Sequence, residues 1–278
     1  MCKSFQTSPT TSQVHLQRAR GVIELDIVGG KLDRFYQSGS SKVFLPKTYA
    51  KTIEAVLVNT AGGLASGDEF VWRLGAYGTT HLTVSTQTAE RVYRSLGQQT
   101  AKMRIDMKLT GNASLHWLPQ ETIFFDGANF LRHLNVEMEG DSSFLASEIM
   151  VFGRTAMSET VNHGRVLDHW RISRDGKLIH AEALRLEDQI SQKLETMASA
   201  AGNICLATTL YIGTDAESKV DAARTFFKKT GEVRSAISAW DGKLVIRTLC
   251  EDTARLKKLT AQYIEQCRAI ASPRVWGD

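Results

Sequence analysis

The side chains able to do chemistry fall in a few short stretches. In "ETIFFDGA", Glu121 and Asp126 flank Phe124 and Phe125. Two carboxyls so close to aromatic surface offer an acid and a base, although solvated carboxylates at a strand end are the simpler reading. Around "GRVLD", Glu159, His163, Asp168 and His169 crowd together. Their oxygen and nitrogen donors suit nickel, zinc or iron better than copper(I). No H-E-x-x-H template accompanies them, so a closed structural metal site is not indicated. "NTAGGLASGDEF" spaces Gly62 and Gly67 as a phosphate loop would, but Asp68 stands where that loop needs lysine. The strand-like "FVWRLGA" follows instead of a helix, so the glycines read as a tight corner between strands. The G-x-G-x-x-G and G-x-S-x-G patterns are absent.

The elements that must position these residues are mostly strands. "AKMRIDMKLT" sets Met103, Ile105, Met107 and Leu109 against Lys102, Arg104, Asp106 and Lys108, a strict period of two. "RHLNVEME" repeats this with Leu134, Val136 and Met138 inward, and "FLASEIMVFG" alternates in the same way. Asp175-Gly176 and Asp241-Gly242 are two-residue hairpin turns. Short strands, glycine-rich connections and no long helical pattern favour antiparallel sheets, a barrel or a solenoid over βαβ units. The last third differs. Thr214 and Glu217 stand at capping-box spacing before a stripe of Val220, Ala223 and Phe227. A final helix from about 251 to 270 buries Leu256, Leu259, Tyr263, Cys267 and Ile270. The expected organisation is a disordered tail at 1–13, a β-rich body over 14–203, and an α+β segment over 204–278 packed on that body.

Composition narrows the classes. The chain has 278 residues and a formal net charge of +4, with lysine and arginine scattered, which argues against a nucleic-acid face. The four cysteines, Cys2, Cys205, Cys250 and Cys267, form no C-x-x-C pair. They read as reduced thiols in a cytoplasmic protein. No apolar run approaches the ~20 residues of a membrane span.

Several stretches then act together: "NTAGGLASGD", "TQTAERVYRS", "WLPQETIFFDGA", "GRTAMSE", "GRVLDHWRISRDGKL" and the closing "PRVW". In this order they resemble the urease accessory protein family UreD, called UreH in some organisms, from about Leu25 to Trp276. The matching positions are Asn59, Gly62, Gly63, Gly67 and Asp68; Gln87, Tyr93, Arg94 and Ser95; Pro119, Gln120 and Glu121; Gly153, Arg154 and Glu159; and Asp168 with Trp170. Thr60 and Ala61 replace prolines common in relatives, and Ser158 replaces a common glycine.

The resemblance implies a mainly β fold, an irregular helix-like stack of strands with two α-helices in the C-terminal part. It implies a non-catalytic scaffold that binds apo-urease and the accessory protein UreF, which recruits the GTPase UreG, in a two-fold assembly around UreF. No cofactor is expected to be tightly bound. Nickel is cargo, passing through an internal passage, and Asp68, Glu121, Glu159 and Asp168 are the candidate transient ligands, since lone carboxylates bind weakly and release. The C-terminal helix and a tail with an exposed Trp276 are the expected surface for UreF. The alternatives are a stand-alone β-fold enzyme using Glu121 and Asp126, or a simple nickel-binding chaperone.

Overall fold

The computed structural model describes residues 17–47, 52–154, 157, 159–231, 233–268 and 272–276. The tail at 1–13, Cys2, Ser158 and Ile270, and the side chain of Cys267, lie outside them.

The chain opens with β1 (Arg20–Val28), β2 (Lys31–Gly39), β3 (Ser41–Phe44) and β4 (Ile53–Asn59). It then winds in coils: β5 (Glu69–Gly78), β6 (His81–Thr86) and β7 (Glu90–Val92), then β8 (Ala101–Gly111), β9 (Ser114–Trp117) and β10 (Thr122–Phe124). β11 (Ala128–Met138) and β12 (Ser143–Phe152) form the next coil, and β13 (Gly164–Arg174) and β14 (Lys177–Glu187) close the body. One sheet runs β14-β13-β11-β8-β5-β1-β2, and β4, β6, β9 and β12 lie side by side in the other. Along the coils the neighbours are parallel: β1 with β5, β5 with β8, β8 with β11, and β11 with β13.

Of the three architectures left open, the solenoid is the one formed, and the antiparallel body is not. Parallel neighbours need a long crossover. Here each crossover is a strand of the opposite sheet, so no helix is required. The coils turn at stacked glycines: an added Cβ on Gly111 would lie 3.2 Å from the carbonyl oxygen of Gly78, and both residues have positive φ. Antiparallel pairing is confined to the ends, including the foreseen hairpin of β13 and β14, where Asp175 and Gly176 both have positive φ.

The core lies between the two sheets. β8 and β11 bury Met103, Ile105, Met107, Leu109, Leu134, Val136 and Met138, the faces that the alternation predicts. β12 is buried on both faces, because its second face is covered from outside. The cover comes from the last third. After α1 (Ile190–Glu195), which the sequence pattern did not show, β15 (Cys205–Ile212) pairs antiparallel with β12. α2 (Val220–Thr230), the hairpin of β16 (Arg234–Trp240) and β17 (Lys243–Cys250), and α3 (Thr253–Arg268) follow. Leu256 of α3 packs with Ile149 and Val151, and Ile264 packs with Leu118, Leu145 and Trp276.

Two local expectations are corrected. Thr214 and Glu217 do not cap α2: its N-cap is Lys219, without a side-chain cap bond, and Glu217 accepts the amide of Gly242 at 2.7 Å instead. A short 3-10 turn over Glu217–Lys219 displaces the helix start by one turn. Trp276 is not exposed. It is 7% accessible, its indole N–H donates to the carbonyl of Leu118 at 2.9 Å, and the Gln120 amide holds the carbonyl of Val275. Among the described residues no helix is long and apolar enough to cross a membrane.

Candidate functional site

Four of the motif stretches, far apart in sequence, stack at one corner of successive coils. Leu64 bridges to Val92 of β7, β7 runs parallel to β10, and the amide of Gly153 donates to the carbonyl of Phe124. The side chains continue this stack. Tyr93 donates its hydroxyl to the carbonyl of Gly62 at 2.8 Å and meets Phe125 edge-on at 5.1 Å. The Arg154 guanidinium lies 4.2 Å from the centre of the Phe125 ring and donates to Glu159 at 2.6 Å. Glu159 also accepts the amide of Asp126, and Asp126 pairs with Arg94 at 2.9 Å. The corner is therefore one connected polar and aromatic rim.

Gly63 shows why the rim needs glycine. Its φ is +147°, and an added Cβ would sit 2.4 Å from the Tyr93 ring and 2.7 Å from the carbonyl oxygen of Arg91. Asp68 closes the loop from inside: at 4% exposure, one carboxylate oxygen accepts the amide of Ala19 and the other that of Ala65, both at 2.8 Å. Asn59 donates to the carbonyl of Gly63 and to the Glu90 carboxylate, both at 3.0 Å. Asn59, Gly62, Gly63, Gln87 and Glu90 line a cavity of about 130 Å³. Burial pushes the Glu90 carboxyl up to about 7, against the bonds from Asn59 and the Arg91 amide.

The two carboxylates considered as acid and base are separately engaged. Glu121 lies 3.2 Å from Lys257 Nζ, without hydrogen-bond geometry to that oxygen. Burial raises the Asp126 carboxyl, but the amides of His163 and Asn162 and the Arg94 guanidinium together hold it below the usual carboxylate value.

The donors around "GRVLD" do not converge. Asp168 and Trp170 point into the core from β13, whereas His169 points out. Glu159 is in the rim, and the exposed His163 lies 3.7 Å from Asp126. Among the described residues no group of three or more His, Cys, Asp or Glu is placed to hold a metal ion.

Asp168 instead belongs to a buried ionic cluster. Arg132 of β11 donates to both of its oxygens at 2.8 Å and also pairs with Glu148 of β12, in the opposite sheet. The indoles of Trp170 and Trp117 donate to Asp168 and Glu148. Burial pushes the Glu148 carboxyl up to about 7, with Arg132 opposing and Asp168 adding. Burial works to lower the Arg132 pKa, but Asp168 and Glu148 outweigh it and raise it.

Arg132, Glu148 and Glu90 were not singled out in the sequence. For the first two a signal existed. Arg132 shares the inward face of Leu134, Val136 and Met138, and Glu148 that of Ala146 and Met150. A charge on an apolar face asks for a buried partner. Likewise His133 stands in register with His169 on the outer face, with ring centres 5.4 Å apart.

A family model described as UreD urease accessory protein matches residues 19–277. Three similar relatives all bear the name urease accessory protein UreD. That of Rhizobium leguminosarum bv. viciae is 40% identical over 265 residues, 94% of this chain and 96% of the relative. That of Agrobacterium fabrum is 39% identical over 269 residues, 95% and 93% of the two chains. That of Azorhizobium caulinodans is 37% identical over 264 residues, 94% and 97%. The chain belongs to the UreD urease accessory protein family.

Proposed function

We propose that this chain is a non-catalytic scaffold of urease maturation that binds apo-urease and UreF in the cytoplasm and, through UreF, connects to the GTPase UreG while nickel is delivered. One observation carries the reading: four of the stretches that resemble the family come together as one rim of hydrogen bonds, ring contacts and ion pairs. Such a rim shapes a surface, and it does not pair Glu121 with Asp126. Glu121 lies beside Lys257 and Asp126 pairs with Arg94, each with its own cation. This counts against the enzyme alternative.

Of the four carboxylates assigned to nickel in transit, Glu121 and Glu159 suit the task best, because both are half-buried. Asp68 and Asp168 are almost fully buried and bound to two amides and to a guanidinium, and their role is to hold the fold. Co-expression of the full chain with the urease subunits and UreF tests the scaffold. A recovered complex containing all of them is expected. Recovery of the folded chain alone would refute it. Within the complex, Glu121→Leu with Glu159→Leu lowers the nickel content of urease and leaves assembly intact; normal nickel content in the double variant would make both carboxylates structural.

A further inference from the structure

We propose that His133 and His169 form a two-histidine site for a late first-row divalent cation on the outer face of the seven-stranded sheet. The two residues are direct partners on the parallel strands β11 and β13. Neighbouring strands lie about 4.8 Å apart, so in-register side chains leave the sheet side by side. Their ring centres are 5.4 Å apart and the ring planes differ by 35°.

That separation suits a shared ion. A metal sits about 2.0–2.1 Å from an imidazole nitrogen, hence roughly 3 Å from the ring centre, so two imidazoles on adjacent coordination positions have centres roughly 4.5–5.5 Å apart. Imidazole nitrogen is a good donor to nickel, zinc and copper(II). His133 is exposed and His169 half-buried, so water reaches both to complete the coordination.

The neighbours permit it. On β8, Arg104 is in register with His133, and it donates to both oxygens of Asp106, at 3.0 and 2.7 Å, which offsets part of its charge. On β14, Ala183 is in register with His169 and too small to cover it. The competing account is a ring pair that merely packs across two strands. The proposal goes beyond the scaffold reading and does not depend on it.

The test is a calorimetric titration of the untagged full chain with nickel(II) chloride, beside His133→Ala, His169→Ala and, as a control, His163→Ala. The wild type is expected to bind one nickel ion that each of the first two variants loses or holds at least about tenfold more weakly. His163→Ala keeps that site, and far-UV circular dichroism is unchanged in all three. Absence of nickel binding by the wild type, or wild-type affinity in both pair variants, would overturn the site. Partner binding is read separately by co-purification, so either idea can fail alone.

Discussion

Arg132 and Asp168 face each other across two parallel strands, joined by two hydrogen bonds of 2.8 Å in the buried space between the sheets. Arg132 also reaches Glu148, so one guanidinium ties the two sheets together. Breaking a buried pair from one side leaves an uncompensated charge. Asp168→Asn is therefore expected to cost about 3–5 kcal/mol in denaturant unfolding. Glu148→Gln costs less, because burial already disfavours the ionised form of that carboxyl. Equal losses in both variants would contradict this. Loss of urease activation in an Asp168 variant thus reports the fold first.

Glu90 makes stability depend on pH. Its carboxyl rises from an ordinary value of 4.5 to about 7 on folding. The folded state then holds a proton that the unfolded state releases, so its contribution is complete below about pH 4.5 and is lost as pH rises through about 7. Glu90→Gln removes that dependence while preserving a partner for Asn59. The melting temperature of the variant should gain on the wild type between about pH 5 and about pH 8. A constant difference across that range would refute the assignment.

The glycines of the motif corner are not equivalent. Gly62 has φ +78° and open space where a Cβ would go, so Gly62→Ala carries only backbone strain, about 1–2 kcal/mol. Gly63→Ala adds a clash with Tyr93 and with the backbone of Arg91, and should cost about 3 kcal/mol or more. Denaturant midpoints decide the order, and a reversal would mean that the loop can re-form.

Trp276 is expected to behave as a core residue. It packs with Leu118, Leu145 and Ile264 and donates its indole N–H to Leu118. Trp276→Ala should cost about 3–5 kcal/mol. Trp276→Phe should recover most of that and lose about 1 kcal/mol for the bond. A neutral Trp276→Ala would restore the exposed-tail reading.

Much of this was legible in the sequence. Period-two alternation placed the inward faces of β8 and β11, and the Asp-Gly pairs placed both hairpins. The solenoid was not singled out by pattern alone, since alternation reports which face is buried and not whether the neighbour is parallel. The site was harder. Spacing put His163, Asp168 and His169 together, yet the pleat sends Asp168 inward and His169 outward, toward partners 36 residues upstream. Glu90 lies in a motif stretch whose cavity is assembled by pairing between coils, which linear spacing does not reveal. The tail misled because an aromatic residue near a terminus has no periodic context to show its docking against Leu118.

The most direct test of the scaffold role is the nickel content of urease made in cells that express the urease subunits and the other maturation proteins, with and without this chain. Purified urease should carry nickel in its presence and little in its absence, and the chain should co-purify with the apo form. Equal nickel content in the two preparations would contradict the account.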